Sequence, residues 1–130
     1  MNSIFKTLAV IFTVGFFAAS AFAAEASPKG NWVWTAIGRT GPHDASAKIE
    51  VKGTTVVGTV TTIRGEFPIK AGSFKDGVIA FTTEVPVEHE TVVSKYEGKL
   101  EGDTIHGMIE RSGRDGGPPI KVDWNAARVK

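Results

Sequence analysis

Beyond its first two dozen residues the chain alternates. Ala47, Ile49 and Val51 are separated by Lys48, Glu50 and Lys52, and the same rhythm carries Val56 and Val60, Ile79 and Phe81, Tyr96 and Leu100, and Ile105 and Ile109. An apolar side chain at every second position marks a strand with one face buried. Gly, Asp, Thr and Pro break the runs, and this punctuation predicts strands at 31–37, 47–52, 55–62, 67–73, 78–85, 91–100, 104–110 and 120–128. No ten-residue stretch after residue 24 shows the 3.6-residue helical period, so the fold class is all-β.

One phrase occurs twice. VKGTTVVGTVT (51–61) and EGDTIHGMIE (101–110) align at an offset of 49, matching Gly53 with Gly102, Thr55 with Thr104, Val56 with Ile105, Gly58 with Gly107 and Val60 with Ile109. KDGVIAFTT (75–83) is a weaker third copy. Each copy is a turn followed by a strand, so the repeating unit is a hairpin. Hairpins in series predict a small up-and-down antiparallel β-barrel of about eight strands, because closure removes the exposed edges of a flat meander. The first predicted strand carries Trp32 and Trp34 and the last carries Trp124, which makes these two the closing pair. A two-sheet β-sandwich is the alternative, since Pro68 and the in-strand Gly58 and Gly107 suit the bends of either. The inward set is Ile49, Val51, Val56, Val60, Ile79, Phe81, Tyr96, Leu100, Ile105 and Ile109 with the three tryptophans. So bulky an interior leaves space for at most a shallow pocket at one end.

The first residues belong to another grammar. Lys6 precedes an apolar run at 8–19, and Ala21-Phe22-Ala23 is a small-residue cleavage pattern. Together they predict a secretory signal peptide at 1–23 and one mature domain at 24–130, in the periplasm or secreted, with no membrane association after cleavage. The run is too short to span a bilayer. The formal net charge is +1 with Lys6 included, so the mature domain is neutral and unsuited to nucleic acid. There is no cysteine, which removes disulfides and thiol chemistry. Stability must come from sheet closure and packing.

Up-and-down topology sends alternate connections to opposite ends. Tight turns fall at one end, and the longer predicted connections (38–46, 63–66, 86–90 and 111–119) fall at the other. Four of the five arginines, Arg39, Arg64, Arg111 and Arg114, lie at this second end with His43, Asp44, Glu66, Glu88, His89, Glu90 and Asp115. Arginine presents a planar donor fork to carboxylates and phosphates. The candidate ligand-binding residues are therefore Arg39, His43, Asp44, Arg64, Glu66, Arg111 and Arg114. No ligand spacing predicts a metal, no motif predicts a cofactor, and the glycine-rich stretch at 113–119 lacks the ending of a phosphate loop.

The motifs W-x-W at 32–34, Arg64-Gly65-Glu66, Y-x-G-K-L-x-G-D-x-I-x-G at 96–107 and D-W-x-A-x-R at 123–128 resemble the pattern of a family of small exported bacterial β-barrel proteins, lipocalin-like (calycin-like) in architecture. The resemblance implies the barrel and a link to exported sugar-processing proteins; it implies no particular activity. Three functions are expected from these residues. The first is binding of a small polar, anionic or carbohydrate ligand at the mouth. The second is a carbohydrate-related enzyme or accessory domain using Glu66 with His43 or His89. The third is a structural or partner-binding module.

Overall fold

The computed structural model describes residues 27–38, 41–113 and 116–130. The signal peptide expected at 1–23, and the candidates Arg39 and Arg114, lie outside the described residues. All regular elements are antiparallel strands: β1 Gly30–Gly38, β2 Gly41–Lys52, β3 Thr55–Thr62, β4 Gly65–Pro68, β5 Lys70–Lys75, β6 Val78–Val87, β7 Glu90–Glu101, β8 Thr104–Arg111 and β9 Ile120–Arg128. Their order around the sheet is β2-β1-β9-β8-β7-β6-β5-β3, and β2 pairs with β3 to close an eight-strand barrel. The ninth strand, β4, is an addition that pairs with β3 alone.

The closing pair is the one the tryptophans indicated, with Trp32 opposite Arg128 and Val33 opposite Ala127. The ladder there is two residue pairs long, extended by a hydrogen bond from Val129 N to Asn31 O at 2.8 Å.

Two sequence expectations change. The single strand expected at 67–73 is two segments, β4 and β5, divided at Ile69. Pro68 has no N–H to donate, Ala71 has a positive φ of 51°, and the β5–β6 register shifts between Lys70 and Ser73. The mouth is also less rich in loops than its composition suggested. β2 begins at Gly41, so residues expected in a 38–46 loop form a ribbon with β1, with His43 opposite Ala36 and Asp44 opposite Thr35. Pro42 is tolerated because β2 pairs with β3 only from Ser46 onward, which leaves Pro42 on a free edge. Two-residue turns, Ile63-Arg64 and Glu88-His89, replace the loops expected at 63–66 and 86–90. The long connection at this end is 112–119.

The repeated glycines share one cause. A Cβ on Gly58 would lie 1.9 Å from Lys48 O, and one on Gly107 would lie 1.9 Å from Glu97 O. Each copy of the phrase puts glycine where the neighbouring backbone crowds the strand. Gly107 also faces Gly98 and Trp124 across its two ladders, and a Cβ on Gly98 would press Trp124 at 3.1 Å. The pair of glycines is thus the recess that holds the indole.

The core is layered along the barrel. Leu100, Ile105 and Ala126 align across β7, β8 and β9, followed by Ile79, Gly98, Gly107 and Trp124 from β6 to β9, then Phe81, Tyr96, Ile109 and Val122. Trp32, Ile49, Ile79, Ile105 and Trp124 are completely buried. Of the expected inward set, Val51 is the one that stays half-buried, packed against the core. In the middle, Phe81 stacks on Tyr96 with centroids 4.5 Å apart, and Trp124 meets Tyr96, Phe81 and Trp34 edge-on at 5.2, 5.6 and 5.7 Å. These rings fill the section of the barrel that a deep ligand would occupy.

The end with the tight turns is pinned by Arg128. Its guanidinium lies 4.5 Å from the Trp32 ring centroid and donates from Nε to Asp103 Oδ1 at 2.8 Å. Further bonds reach the carbonyls of Ser27, Lys29 and Gly102. Trp32 Nε1 donates to Pro28 O at 2.8 Å. Together these hold the segment before β1, the β7–β8 turn and β9 as one floor.

Candidate functional site

Above the aromatic layer the interior changes character. The next cross-strand row is Thr83 on β6, Ser94 on β7, Arg111 on β8 and Ile120 on β9. Directly opposed residues share a face of the sheet, and this face is the inside. Thr83 and Ser94 are 2% and 6% exposed, and no other polar or charged residue among those described is buried as deeply. Polar groups are buried at a cost unless they are used, so hydroxyls confined to one level mark that level as special.

The row borders Tyr96, whose hydroxyl lies beside Thr83. Burial pushes the Tyr96 phenol above its ordinary value, while the Thr83 hydroxyl and the positive charge of Arg111 pull the other way. Arg111 itself is half-buried, and its Nη1 donates to Ile37 O on β1 at 3.3 Å. This bond bridges β8 to β1 beyond the stretch where β1 and β9 pair. Ala36, His43, Thr62, Val85 and Val92 also face inward near this end and are half-buried, so solvent enters the mouth. The result is a shallow bowl with a hydroxyl-bearing floor and one guanidinium in its wall.

The sequence candidates scatter around this bowl. Arg111 and His43 face inward. The pleat turns Asp44 outward, directly opposite Thr35, so it does not converge with His43. Glu66 lies opposite Thr61 on the outer face. Arg64 sits at an exposed turn, its N–H donating to Thr62 Oγ1 at 3.1 Å. Glu66 and His43 thus occupy opposite faces of the wall, so of the two acid–base pairs considered for glycosidic chemistry the one with His43 is not assembled. Among the described residues no three of His, Asp and Glu gather as metal ligands. Hydrophobicity does not mark Thr83 and Ser94 as inward residues. Their signal was position: each falls on the inward phase of its strand, two residues from Phe81 and Tyr96 respectively.

The larger hollows lie elsewhere. An open depression of about 700 Å³ along the β1–β2 ribbon and the end of β3 is lined by residues of both faces, Val33, Thr35, Asp44 and Thr61 among the outward ones and Trp34, His43 and Thr62 among the inward ones, so the sequence candidates His43 and Asp44 both border it. A second of about 300 Å³ adjoins it through Val33, Ser46 and Thr61 and reaches Glu66 and Lys48. These troughs are wide, and their side-chain polar groups belong to exposed or half-exposed residues. The mouth instead gathers two buried hydroxyls and a cation, and convergence of polar groups distinguishes a site better than volume does. The three tryptophans are core residues, 0%, 6% and 0% exposed for Trp32, Trp34 and Trp124, so none forms a surface platform for stacking a sugar ring.

Compared with known protein families, curated proteins and solved structures, the chain matches none.

Proposed function

We propose that the protein is an exported β-barrel that binds a small polar or anionic ligand in its mouth, with Arg111 as the anchor. The observation that carries this reading is the inward row Thr83–Ser94–Arg111, set above a core that is otherwise apolar. A guanidinium held by one backbone carbonyl keeps donors to spare, because Arg carries five N–H groups in a fixed fork. An anion seated there gains charge-assisted bonds, and the floor hydroxyls supply the rest. The motif resemblance to small exported lipocalin-like proteins, and the leader expected at 1–23, support the exported setting.

Calorimetric titration against a panel of sugars, sugar acids and small carboxylates tests the reading. At least one member binds, and Arg111→Gln weakens it about ten- to a hundredfold, since a bond to a charged group contributes ~1.5–3 kcal/mol. Lys75→Gln, exposed at the opposite end, leaves the affinity unchanged. A panel without a single binder, or equal affinity in wild type and Arg111→Gln, overturns the proposal.

A further inference from the structure

We infer that the outer face of β1, β2 and β3 is a second binding site, a track for an extended, uncharged oligosaccharide. It is separate from the mouth and does not depend on Arg111.

The track follows the two hollows. The depression of about 700 Å³ and that of about 300 Å³ share Val33, Ser46 and Thr61. These three stand in one cross-strand row on the outer face, continued by Glu66 on β4. Thr35 and Asp44 form the row above, and Asn31, Lys48 and Thr59 the row below. The hollows therefore join end to end along the strands. From Asn31 to Thr35 the track covers about 13 Å at ~3.3 Å per residue, with Ile63 at one end and Val129 at the other. Its width tells against a small ligand, which an enclosed pocket holds better. A chain is different: it lies along a surface and projects beyond both ends.

The lining repeats itself. One hollow has a carboxylate (Asp44), an amide (Asn125) and hydroxyls (Thr35, Thr61). The other has a carboxylate (Glu66), an amide (Asn31) and hydroxyls (Thr59 and the shared Thr61). A ligand that meets the same set twice in succession is a polymer of like units. The groups also define the unit. Carboxylates accept, while amides and hydroxyls both donate and accept, and a surface that answers all of them is covered in hydroxyls, as a sugar is. Asn125 keeps its NH₂ as donor, since its Oδ1 faces His106 Nδ1 at 2.8 Å. Between the two sets Val33, 43% exposed, offers an aliphatic contact to the C–H face of a sugar ring, where no tryptophan does.

Charge and shape narrow the class. Among the described residues two carboxylates, one lysine and no arginine line the hollows. A polyanion meets net repulsion there, and nucleic acid lacks phosphate partners. An extended peptide would add to a strand edge through its backbone, whereas these groups are side chains on the face of a sheet. A straight track along the strands also suits a flat, extended glycan better than one that coils.

The test is calorimetry with cellobiose, cellotetraose and cellohexaose and the corresponding xylose and N-acetylglucosamine series. Maltohexaose serves as the coiled comparison and an oligogalacturonate as the polyanion. At least one extended series binds, with affinity rising about tenfold or more from disaccharide to hexasaccharide as the second set of groups is engaged. It exceeds maltohexaose and the oligogalacturonate by about tenfold. Glu66→Gln and Thr61→Val, both at exposed positions, each weaken the hexasaccharide roughly threefold to tenfold. Glu97→Gln, exposed on β7, and Arg111→Gln leave it unchanged. In nitrogen–proton correlation spectra the amides of Val33, Ser46 and Thr61 shift on binding and those of Thr83 and Ser94 do not. The track is overturned if no extended chain binds, if disaccharide and hexasaccharide bind equally, or if maltohexaose or the oligogalacturonate binds more tightly. Binding that ignores both Glu66→Gln and Thr61→Val overturns it as well. An oligosaccharide that needs Arg111 and shifts Thr83 and Ser94 overturns the track while supporting the mouth, so the two readings stand or fall separately.

Discussion

Trp32 and Trp124 are both completely buried, yet a change to phenylalanine should affect them very differently. The substitution shrinks the ring by a similar amount at each site, so the cavity contribution largely cancels between the two variants. What differs is the indole N–H. Trp32 Nε1 donates to Pro28 O, and its ring lies under the Arg128 guanidinium. Trp32→Phe leaves a carbonyl on fully buried Pro28 without its donor, at about 1–3 kcal/mol. It also exchanges the best cation–π partner for a weaker one, at ~0.5–1 kcal/mol. Trp124 Nε1 is buried without a hydrogen-bond partner, so Trp124→Phe removes an unsatisfied donor and orphans nothing. Trp32→Phe should therefore be the less stable variant by about 2–4 kcal/mol. For a domain of this size that corresponds to a gap of roughly 10–30 °C in melting temperature. Urea unfolding followed by far-ultraviolet circular dichroism measures the gap without relying on tryptophan emission, and unchanged m-values would license the comparison. Equal stabilities, or a Trp124→Phe variant weaker than Trp32→Phe, would refute the assignment of the two indoles.

Other outcomes follow from the same packing. Lys130 and Arg128 hold the Asp103 carboxyl below its ordinary value. Its contribution to stability is thus complete above the unfolded carboxylate pKa and is lost as pH falls through the folded one; Asp103→Asn should flatten that acid limb of a stability–pH curve and change its neutral part less than Arg128→Ala does. Gly107→Ala, whose new methyl would meet Glu97 O and Gly98 Cα, should cost at least about 3 kcal/mol. Gly102→Ala, in open space with a φ of 64°, should cost about 1–2 kcal/mol, and thermal melts separate the two. The exported protein should begin at or near Ala24; a mature mass retaining residues 1–23 would sink the signal-peptide reading.

Much of the barrel could be read in advance because strand periodicity reports burial directly. Every residue of the expected inward set faces the interior, and the hairpin repeat correctly implied successive antiparallel neighbours. The errors have local causes. Pro42, His43 and Asp44 look like turn residues, but on a ribbon edge proline costs no hydrogen bond, so β2 runs on to Gly41. Pro68 and Ala71 break a strand whose composition alone reads as continuous. At the candidate site, arginine enrichment led to Arg111, while the rows that give it neighbours depend on register. Thr83 and Ser94 are separated along the chain from Arg111 and become adjacent only when three strands align. Arg128, the arginine away from the rim, carries no sequence signal of its role. Besides Asp103 and Trp32, its partners are the backbone carbonyls of Ser27, Lys29 and Gly102, and a carbonyl leaves no mark on a sequence.

The two-pair ladder between β1 and β9 also fixes where the chain enters and leaves. Residues 27–29 and 129–130 emerge side by side at the Arg128 floor, the opposite pole from the mouth. A tag, a fusion partner or a surface linker joined at either terminus would therefore hold the barrel by its base, with the bowl facing away. The same adjacency makes the molecule a natural substrate for circular permutation: a short linker could join residue 130 to residue 27, and new ends could be cut in the 112–119 connection. That rearrangement would move both termini to the rim of the bowl and leave all eight barrel strands intact.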